Sequence, residues 1–374
     1  MMEKRLMIQN FFTLFDESMI NLCIILFLTS FLSCFLLTRL NGVSFISKRA
    51  SDDLKAVQSS HTVAVSRLGG LAVFFSLALL VPLSSHFNLI AQKPMWLTVS
   101  AIPLFLAGFL EDLGHRVSPR KRLAAAFISS ILVILIFDVW VTRLDIPFVD
   151  NLLDFAPLGI LFTVFAAAGV SHAFNLIDGL NGFSSYVTIS IALSLSLIAV
   201  EGNQKDISVY FLLLISIVLG FLILNFPKGK IFLGDAGAYV LGHILVWLAI
   251  ILVNLDKSIH SFAILLVFFW PVADTLLTIW RRWKMGARAD RPDRLHFHQL
   301  TMRFLEIRVF GSRKRNISNP LATCILIPFV SMPQFLGVIF AREAVLSFGS
   351  IFLLSLLFIA TYSLMVKSAN RKKF

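Results

Sequence analysis

The chain has 374 residues, of which 57% are hydrophobic and 14% charged, with 33 Lys and Arg residues against 21 Asp and Glu residues and a formal net charge of +12. Soluble domains carry about a quarter charged residues, so this composition excludes an ordinary soluble protein and predicts an integral membrane protein. The basic excess suits anionic lipid headgroups and phosphorylated substrates, and we expect no nucleic-acid partner.

Apolar runs of about 20 residues, long enough to cross a bilayer as helices, follow one another along the chain. They predict an all-α polytopic membrane protein with about eleven transmembrane helices and a single integral membrane domain over residues 1–374. The predicted spans are 18–38, 68–88, 94–111, 122–141, 157–174, 183–200, 207–225, 236–253, 259–280, 319–340 and 344–366.

About 26 of the 33 basic residues lie in loops on one face of the predicted bundle and in the C-terminal tail. The loops are 39–67, 112–121, 175–182, 226–235 and 281–318. Because basic loops stay in the cytoplasm, the bias predicts an N-terminus outside and a cytoplasmic C-terminus, although Lys4 and Arg5 favour the reverse. We expect these five cytoplasmic loops to form the active site.

Two adjacent acids, Glu111 and Asp112, end the third span. Negative charge at a helix C-terminus is unfavourable against the helix dipole unless a cation compensates it. A divalent metal ion could do so, and so could Arg116 and Arg120. The sequence leaves both open.

The stretch 174–182 places Asn175, Asp178 and Asn181 between two strongly apolar spans. An Asp in mid-membrane costs roughly 2.5–3.5 kcal/mol on insertion scales, which argues for a function. With His172 these residues recur every third position, so neighbours would be adjacent on a helix. We predict that the stretch is the centre of the site. A helix cap with polar packing between spans is the alternative.

The loop after the seventh span contains Lys228 and Lys230 and then Gly234 and Asp235, just before an apolar helix. Free backbone N–H groups at a helix start, together with lysines, favour a phosphate or a metal–phosphate pair. Asp235 could alternatively serve only as a helix cap.

The longest cytoplasmic loop carries Arg294, His296 and His298, which predict an anion site; a generic basic cytoplasmic loop is the alternative. Asp274 lies in the ninth span. It could take part in the site or pair with one of the arginines that follow it.

All these groups fall at predicted cytoplasmic span ends, so we expect them to converge. Clustered carboxylates need a cation, and hard oxygen ligands select Mg²⁺ or Mn²⁺. A metal ion surrounded by basic residues predicts a diphosphate site, and its membrane depth predicts a lipid substrate.

Three motifs in order resemble those of the polyprenyl-phosphate N-acetylhexosamine-1-phosphate transferase family over about residues 50–305, and a fourth resembles its histidine motif. They are the paired acids at 111–112, Asn-x-x-Asp-Gly-x-Asp-Gly at 175–182, Gly-Asp-x-Gly at 234–237 and His-x-His-His at 296–299. The chain departs from the family at Glu111 and Asn181, where the family has Asp, and at Gln299, where it has His. Asn181 cannot act as a charged ligand or base.

The resemblance implies transfer of an N-acetylamino-sugar 1-phosphate from a UDP-N-acetylhexosamine to undecaprenyl phosphate, with UMP released. It places the enzyme in the bacterial inner membrane, with the active site on the cytoplasmic face, at the first step of O-antigen or other cell-envelope polysaccharide assembly. Whether the chain forms a homodimer is left open.

The resemblance also implies roles for individual residues. Asp235 and Asp178 would bind the metal, and Asp112, helped by Glu111, would orient or deprotonate the lipid phosphate. Asp178 would also hold the nucleotide, together with Asn175. The remaining residues expected to contact substrate are Asn181, Lys228, Lys230, Gly234, Arg294, His296 and His298.

Other functions stay open. The donor could carry another sugar, such as N-acetylfucosamine or N-acetylquinovosamine. Phospho-N-acetylmuramoyl-pentapeptide transferase is a related alternative, against which the missing third histidine counts. A secondary transporter would also have many spans with buried acids, but it should show inverted repeats and polar groups at the midplane.

Overall fold

The computed structural model describes residues 11–39, 65–87, 95–286, 295–311 and 314–370, and within them the regular structure is helical. A π-helical turn, Glu306–Phe310, follows the thirteenth helix named below. The helices are α1 (Glu17–Arg39), α2 (Gly69–Phe87), α3 (Trp96–Ser100), α4 (Ile102–Asp112), α5 (Pro119–Phe137), α6 (Pro147–Leu153), α7 (Ala156–Ile177), α8 (Phe183–Glu201), α9 (Lys205–Asn225), α10 (Gly234–Leu255), α11 (Ser261–Val267), α12 (Phe269–Lys284), α13 (Phe297–Leu305), α14 (Arg315–Ile339) and α15 (Ala344–Asn370).

Each predicted span coincides with one helix or with two consecutive helices, which confirms the all-α polytopic prediction. Among the described residues, seven helices are long and apolar enough to cross a membrane: α1, α7, α8, α9, α10, α14 and α15. Two predicted spans are broken, one into α3 and α4 and the other into α11 and α12, whose axes differ by 83°. If the second pair is one span, the count is eight. Eleven spans and the orientation stay predictions.

Helix α10 lies at the centre of the bundle, packed against α7, α4 and α2. It is apolar around its whole circumference, as expected for a helix surrounded by others. Trp247 and Leu248 are fully buried within it. By contrast, most of α15 is exposed, as in Phe352 and Leu364, which suits a helix facing lipid. The surrounding helices therefore hold the first residues of α10 in place, and the candidate site lies at these residues.

Small and hydroxyl side chains bring the helices close together. The Ser196 and Ser208 hydroxyls lie 2.6 Å apart between α8 and α9. On α9, Gly220 lies directly against the α1 backbone at Phe27, where any side chain would collide. Such contacts take the place of hydrophobic driving force between helices in a membrane.

Candidate active site

The end of α4 is joined to the start of α10 through Asp112. Its two carboxylate oxygens accept the backbone N–H groups of Asp235 and Ala236, both at 2.9 Å. These amides belong to the first turn of α10, where N–H groups have no partner within the helix. One turn earlier on α4, a Cβ on Gly108 would lie 2.6 Å from the Ala236 nitrogen. The two backbones are thus in contact, and Asp112 gains a structural role that the sequence did not indicate.

Glycine is required where the loop enters α10. Gly234 has φ +74°, a conformation that other residues rarely adopt, and a Cβ there would lie 2.6 Å from Asp112 Oδ2. The loop also hydrogen-bonds to the start of α2, where the Gly70 N–H donates to the Leu233 carbonyl at 2.8 Å. The expected substrate contact of Gly234 stays a prediction, but its position in the site is fixed by this packing.

Two arginines balance the acids at this point. Arg122 of α5 is ion-paired with Asp235. Arg67, just before α2, has Nη1 3.8 Å from Asp235 Oδ1 and 4.0 Å from Asp112 Oδ1. A compensating cation was expected here from the sequence, with Arg116 and Arg120 as candidates, but both are exposed. Neither forms an ion pair with the acids in the described part of the chain, so that alternative is wrong.

The Glu111 carboxylate has a different hydrogen-bond partner from those of Asp112. It accepts the Val117 N–H at 2.6 Å and so closes the turn between α4 and α5. Its charge still acts on Arg122, which lies close to both Glu111 and Asp235. Glu111 therefore lies at the edge of the acid cluster that Asp112 and Asp235 form.

The central stretch begins where α7 ends, at Ile177, and continues as turns up to Gly182. A continuous helical row from His172 to Asn181 is therefore not formed. Asp178 lies just beyond α7 and accepts the Ser184 hydroxyl at 2.6 Å, with the Gly234 amide close enough to stabilise its charge. Burial nevertheless raises the pKa of Asp178 to about 6.

Asn175 lies one turn before Asp178, within hydrogen-bonding reach of the Tyr239 side chain of α10. The ring of His172 also meets Tyr239, edge to face at 4.9 Å. Tyr239 was not recognised from the sequence, where it reads as one more apolar residue of the span. It connects α7 to the acid cluster.

Asn181 joins three parts of the protein. Its backbone N–H donates to Asn319 Oδ1 and its side chain to the Pro227 carbonyl, both at 2.8 Å. Thr323 donates to its carbonyl at 2.8 Å. This agrees with the polar-packing alternative, although Asn181 also lines an open pocket of about 690 Å³. Its contact with substrate stays a prediction.

The lysines lie on the open side of the site. Lys228 and Lys230 are both exposed, and Lys228 lines the same pocket as Asn181. Phe232 and Arg315 also line it. The pocket thus has two basic side chains, an amide and an aromatic ring among lining residues that are otherwise mainly apolar.

The histidine segment, residues 296–298, is held against the membrane helices by Asp274. His296 Nδ1 lies 2.7 Å from Asp274 Oδ2, so this acid pairs with the histidine and not with the arginines suggested above. His298 is fully buried, and burial lowers its pKa to about 3. Its ring stacks on Phe183 at 5.5 Å. Arg294, the remaining expected member, lies outside the described residues.

Comparison with known proteins agrees with this geometry. A family model described as glycosyl transferase family 4 matches residues 94–253. A "Probable undecaprenyl-phosphate N-acetylglucosaminyl 1-phosphate transferase" of Bacillus subtilis (strain 168) is 28% identical over 300 residues, covering 77% of this chain and 79% of that protein. The family match and this relative both support a resemblance to glycosyl transferase family 4.

Two further relatives, from Salmonella typhi and Escherichia coli (strain K12), are both named "Undecaprenyl-phosphate alpha-N-acetylglucosaminyl 1-phosphate transferase". The first is 27% identical over 277 residues, covering 71% of this chain and 72% of that protein. The second is 23% identical over 310 residues, covering 80% of this chain and 81% of that protein. The resemblance to polyprenyl-phosphate hexosamine-1-phosphate transferases is thereby confirmed.

The residues matched to glycosyl transferase family 4 include the acid pair, the central stretch and the start of α10. These are the segments that meet around Gly234. The histidine segment and Asp274 lie beyond the matched residues.

The donor groups fit one divalent ion completed by substrate. The Asp178 carboxylate lies within hydrogen-bonding reach of the Gly234 amide and close enough to Asp235 for the two charges to interact. Within the described residues, no three His, Cys, Asp or Glu side chains are grouped so that they could hold a metal by themselves. Mg²⁺ is usually bound by one or two carboxylates together with substrate phosphates, which agrees with this arrangement.

Proposed function

We propose that the chain transfers N-acetylglucosamine 1-phosphate from UDP-N-acetylglucosamine to undecaprenyl phosphate and releases UMP. The observation that carries this is the meeting of Asp112, Asp178 and Asp235 with two arginines at the end of membrane helices. Such a site can neutralise a diphosphate while a lipid reaches it from the bilayer. The names of the relatives favour this donor and acceptor.

The reaction exchanges one diphosphate for another. An oxygen of the lipid phosphate attacks the sugar-bearing phosphorus of the donor, the bond to the UMP phosphate breaks, and UMP carries away the electron pair. The nucleophile therefore belongs to the substrate, and the protein has to position the two phosphates and balance their charge. A readily reversible reaction is expected because the bonds formed and broken are alike.

Each group of side chains has its own proposed role. Asp178 and Asp235 would hold Mg²⁺ or Mn²⁺, which when bound acts as a Lewis acid on the diphosphate. Arg67 and Arg122 fix the Asp235 carboxylate, and the pocket beside Lys228 would receive the nucleotide. Glu111, which is less buried than Asp112, would help to orient the lipid phosphate.

We also propose a location and an orientation. The basic loops favour placing the site on the cytoplasmic face of the bacterial inner membrane, where nucleotide sugars are available. Polar groups gather at one end of the helices, which favours an enzyme working at the membrane surface over a transporter with a midplane site.

The test uses purified protein with undecaprenyl phosphate, Mg²⁺ and a panel of UDP-sugars. We expect UMP release that requires the lipid and is fastest with UDP-N-acetylglucosamine. Faster release with another UDP-sugar would correct the donor. Uptake of a sugar nucleotide into vesicles without UMP release would contradict the proposal as a whole.

A further inference from the structure

Asp274 is a buried carboxylate, with 1% of its surface exposed, that the proposed reaction does not use. Its Oδ2 lies 2.7 Å from His296 Nδ1, and its Oδ1 accepts the Phe297 N–H at 2.9 Å. Both oxygens therefore bind the segment that begins α13. A carboxylate in this position fixes both the direction and the hydrogen placement of the ring it contacts.

The position of the hydrogen follows from which of the two side chains can donate a hydrogen bond. An ionised carboxylate can only accept hydrogen bonds, so the hydrogen between Asp274 and His296 belongs to Nδ1. In neutral imidazole the other nitrogen, Nε2, then carries a lone pair. Within the described residues the hydrogen bonds of the His296 ring involve Nδ1, so the lone pair of Nε2 is available to another group.

His296 is connected to the centre of the site through stacked rings. Its ring stacks on His298 with centroids 5.8 Å apart, and His298 stacks in turn on Phe183. His298 Nε2 lies directly against Gly179, the neighbour of Asp178. A different orientation of His296 would therefore disturb a packed series of rings that ends beside Asp178.

We propose that Asp274 is a positioning residue that holds His296 in the Nδ1–H tautomer, with Nε2 directed to the substrate. The inference rests on the proposed phosphosugar transfer, because that reaction defines the substrate. Removal of a carboxylate that orients a functional histidine typically lowers activity about 10–100-fold.

Asp274→Asn gives a sharp test because the carboxamide has one acceptor and one donor group. If its oxygen keeps the Phe297 N–H, its NH₂ faces His296 Nδ1, which must then become the acceptor. The variant should therefore keep the start of α13 but convert His296 to the Nε2–H tautomer. The ¹⁵N spectrum of histidine-labelled protein reports this directly, with His296→Gln identifying the signal.

Activity supplies the second readout. We expect Asp274→Asn to lower UMP release by about 10–100-fold, while Thr275→Val, which alters the adjacent buried hydroxyl, stays near wild type. In a His296→Gln background, Asp274→Asn should have little further effect. An equal loss in both backgrounds would mean that Asp274 only stabilises the fold, and would overturn the proposal.

Two results separate this inference from the proposed function. An unchanged His296 signal in Asp274→Asn would overturn the positioning role whether or not the enzyme is active. If that variant does not fold, Asp274→Glu replaces it: retention of the Nδ1–H tautomer supports the role, and conversion contradicts it. Absence of UMP release by the wild type with every UDP-sugar would instead overturn the proposed function.

Discussion

The Asp112 carboxylate accepts the backbone N–H of Asp235 at 2.9 Å, so an acid that ends one helix fixes the start of another. Asp112→Asn should break part of this junction, because a carboxamide can accept only one of the two N–H groups and presents its NH₂ to the other. Leaving a buried donor unpaired costs about 1–3 kcal/mol. We expect lower thermal stability together with lower activity, measured by unfolding in detergent.

Glu111→Gln is the matched control for that variant. Its side-chain oxygen can still accept the Val117 N–H, so its stability should stay close to wild type. Any loss of activity would then report on chemistry. Equal stability losses in Glu111→Gln and Asp112→Asn would show that the junction is not specific to Asp112.

Gly179 allows the histidine segment to approach the central stretch. A Cβ on Gly179 would collide with His298 Nε2, whereas nothing lies within 4 Å of a Cβ on Gly169. We expect Gly179→Ala to reduce UMP release at least about tenfold, since overpacking forces neighbouring side chains to move. Gly169→Ala should remain active. Equal activity of the two variants would show that His298 does not pack here in the working enzyme.

In the proposed function, Arg122 would compete with the metal ion for Asp235, with which it is ion-paired. Replacing it by Gln removes the ion pair and leaves the Asp235 charge less compensated, so a divalent cation should bind more readily. We therefore expect half-maximal activity at lower Mg²⁺, with a lower maximal rate. The control is Arg120→Gln, which alters an exposed residue of the same helix. An unchanged Mg²⁺ dependence in Arg122→Gln would argue against Asp235 as a ligand.

The Asp178 carboxyl gives a pH dependence of defined sign. Burial raises its pKa from the ordinary value of 3.8 to about 6, so the folded state binds the proton more tightly than the unfolded state. Its contribution to stability is complete below about pH 4 and is lost as pH rises through about 6. Without Mg²⁺, the unfolding temperature of the wild type relative to Asp178→Asn should fall across this window. A difference that is constant with pH would contradict the assignment.

The fold was largely predictable, and the reason is physical. Long apolar runs have few stable structures in a bilayer, so the positions of the helices follow from hydropathy. The 83° break between α11 and α12 was not predicted, because the predicted span 259–280 is mostly apolar on both sides of the break and the bend depends on packing with other helices.

The candidate site was predictable where polar residues interrupt apolar spans, as at Asp178 and Asp235. The sequence could not identify Arg67 or Arg122 as partners of the acids, because basic residues are common in such loops and pairing depends on tertiary contact. Asp274 was noticed for its burial, but its partner His296 is 22 residues away along the chain.

Lipid-dependent UMP release by Asp235→Asn, compared with Asp206→Asn, tests whether Asp235 belongs to a catalytic centre. Asp235 lies at the start of α10 beside two other acids, whereas Asp206 is an exposed acid in the first turn of α9. With Mg²⁺, UDP-N-acetylglucosamine and undecaprenyl phosphate, we predict at least about a hundredfold loss for Asp235→Asn, since a lost electrostatic contact in a transition state costs about 10²–10³ in rate. Asp206→Asn should remain active. Wild-type activity in Asp235→Asn would contradict the central claim that these acids form the catalytic centre.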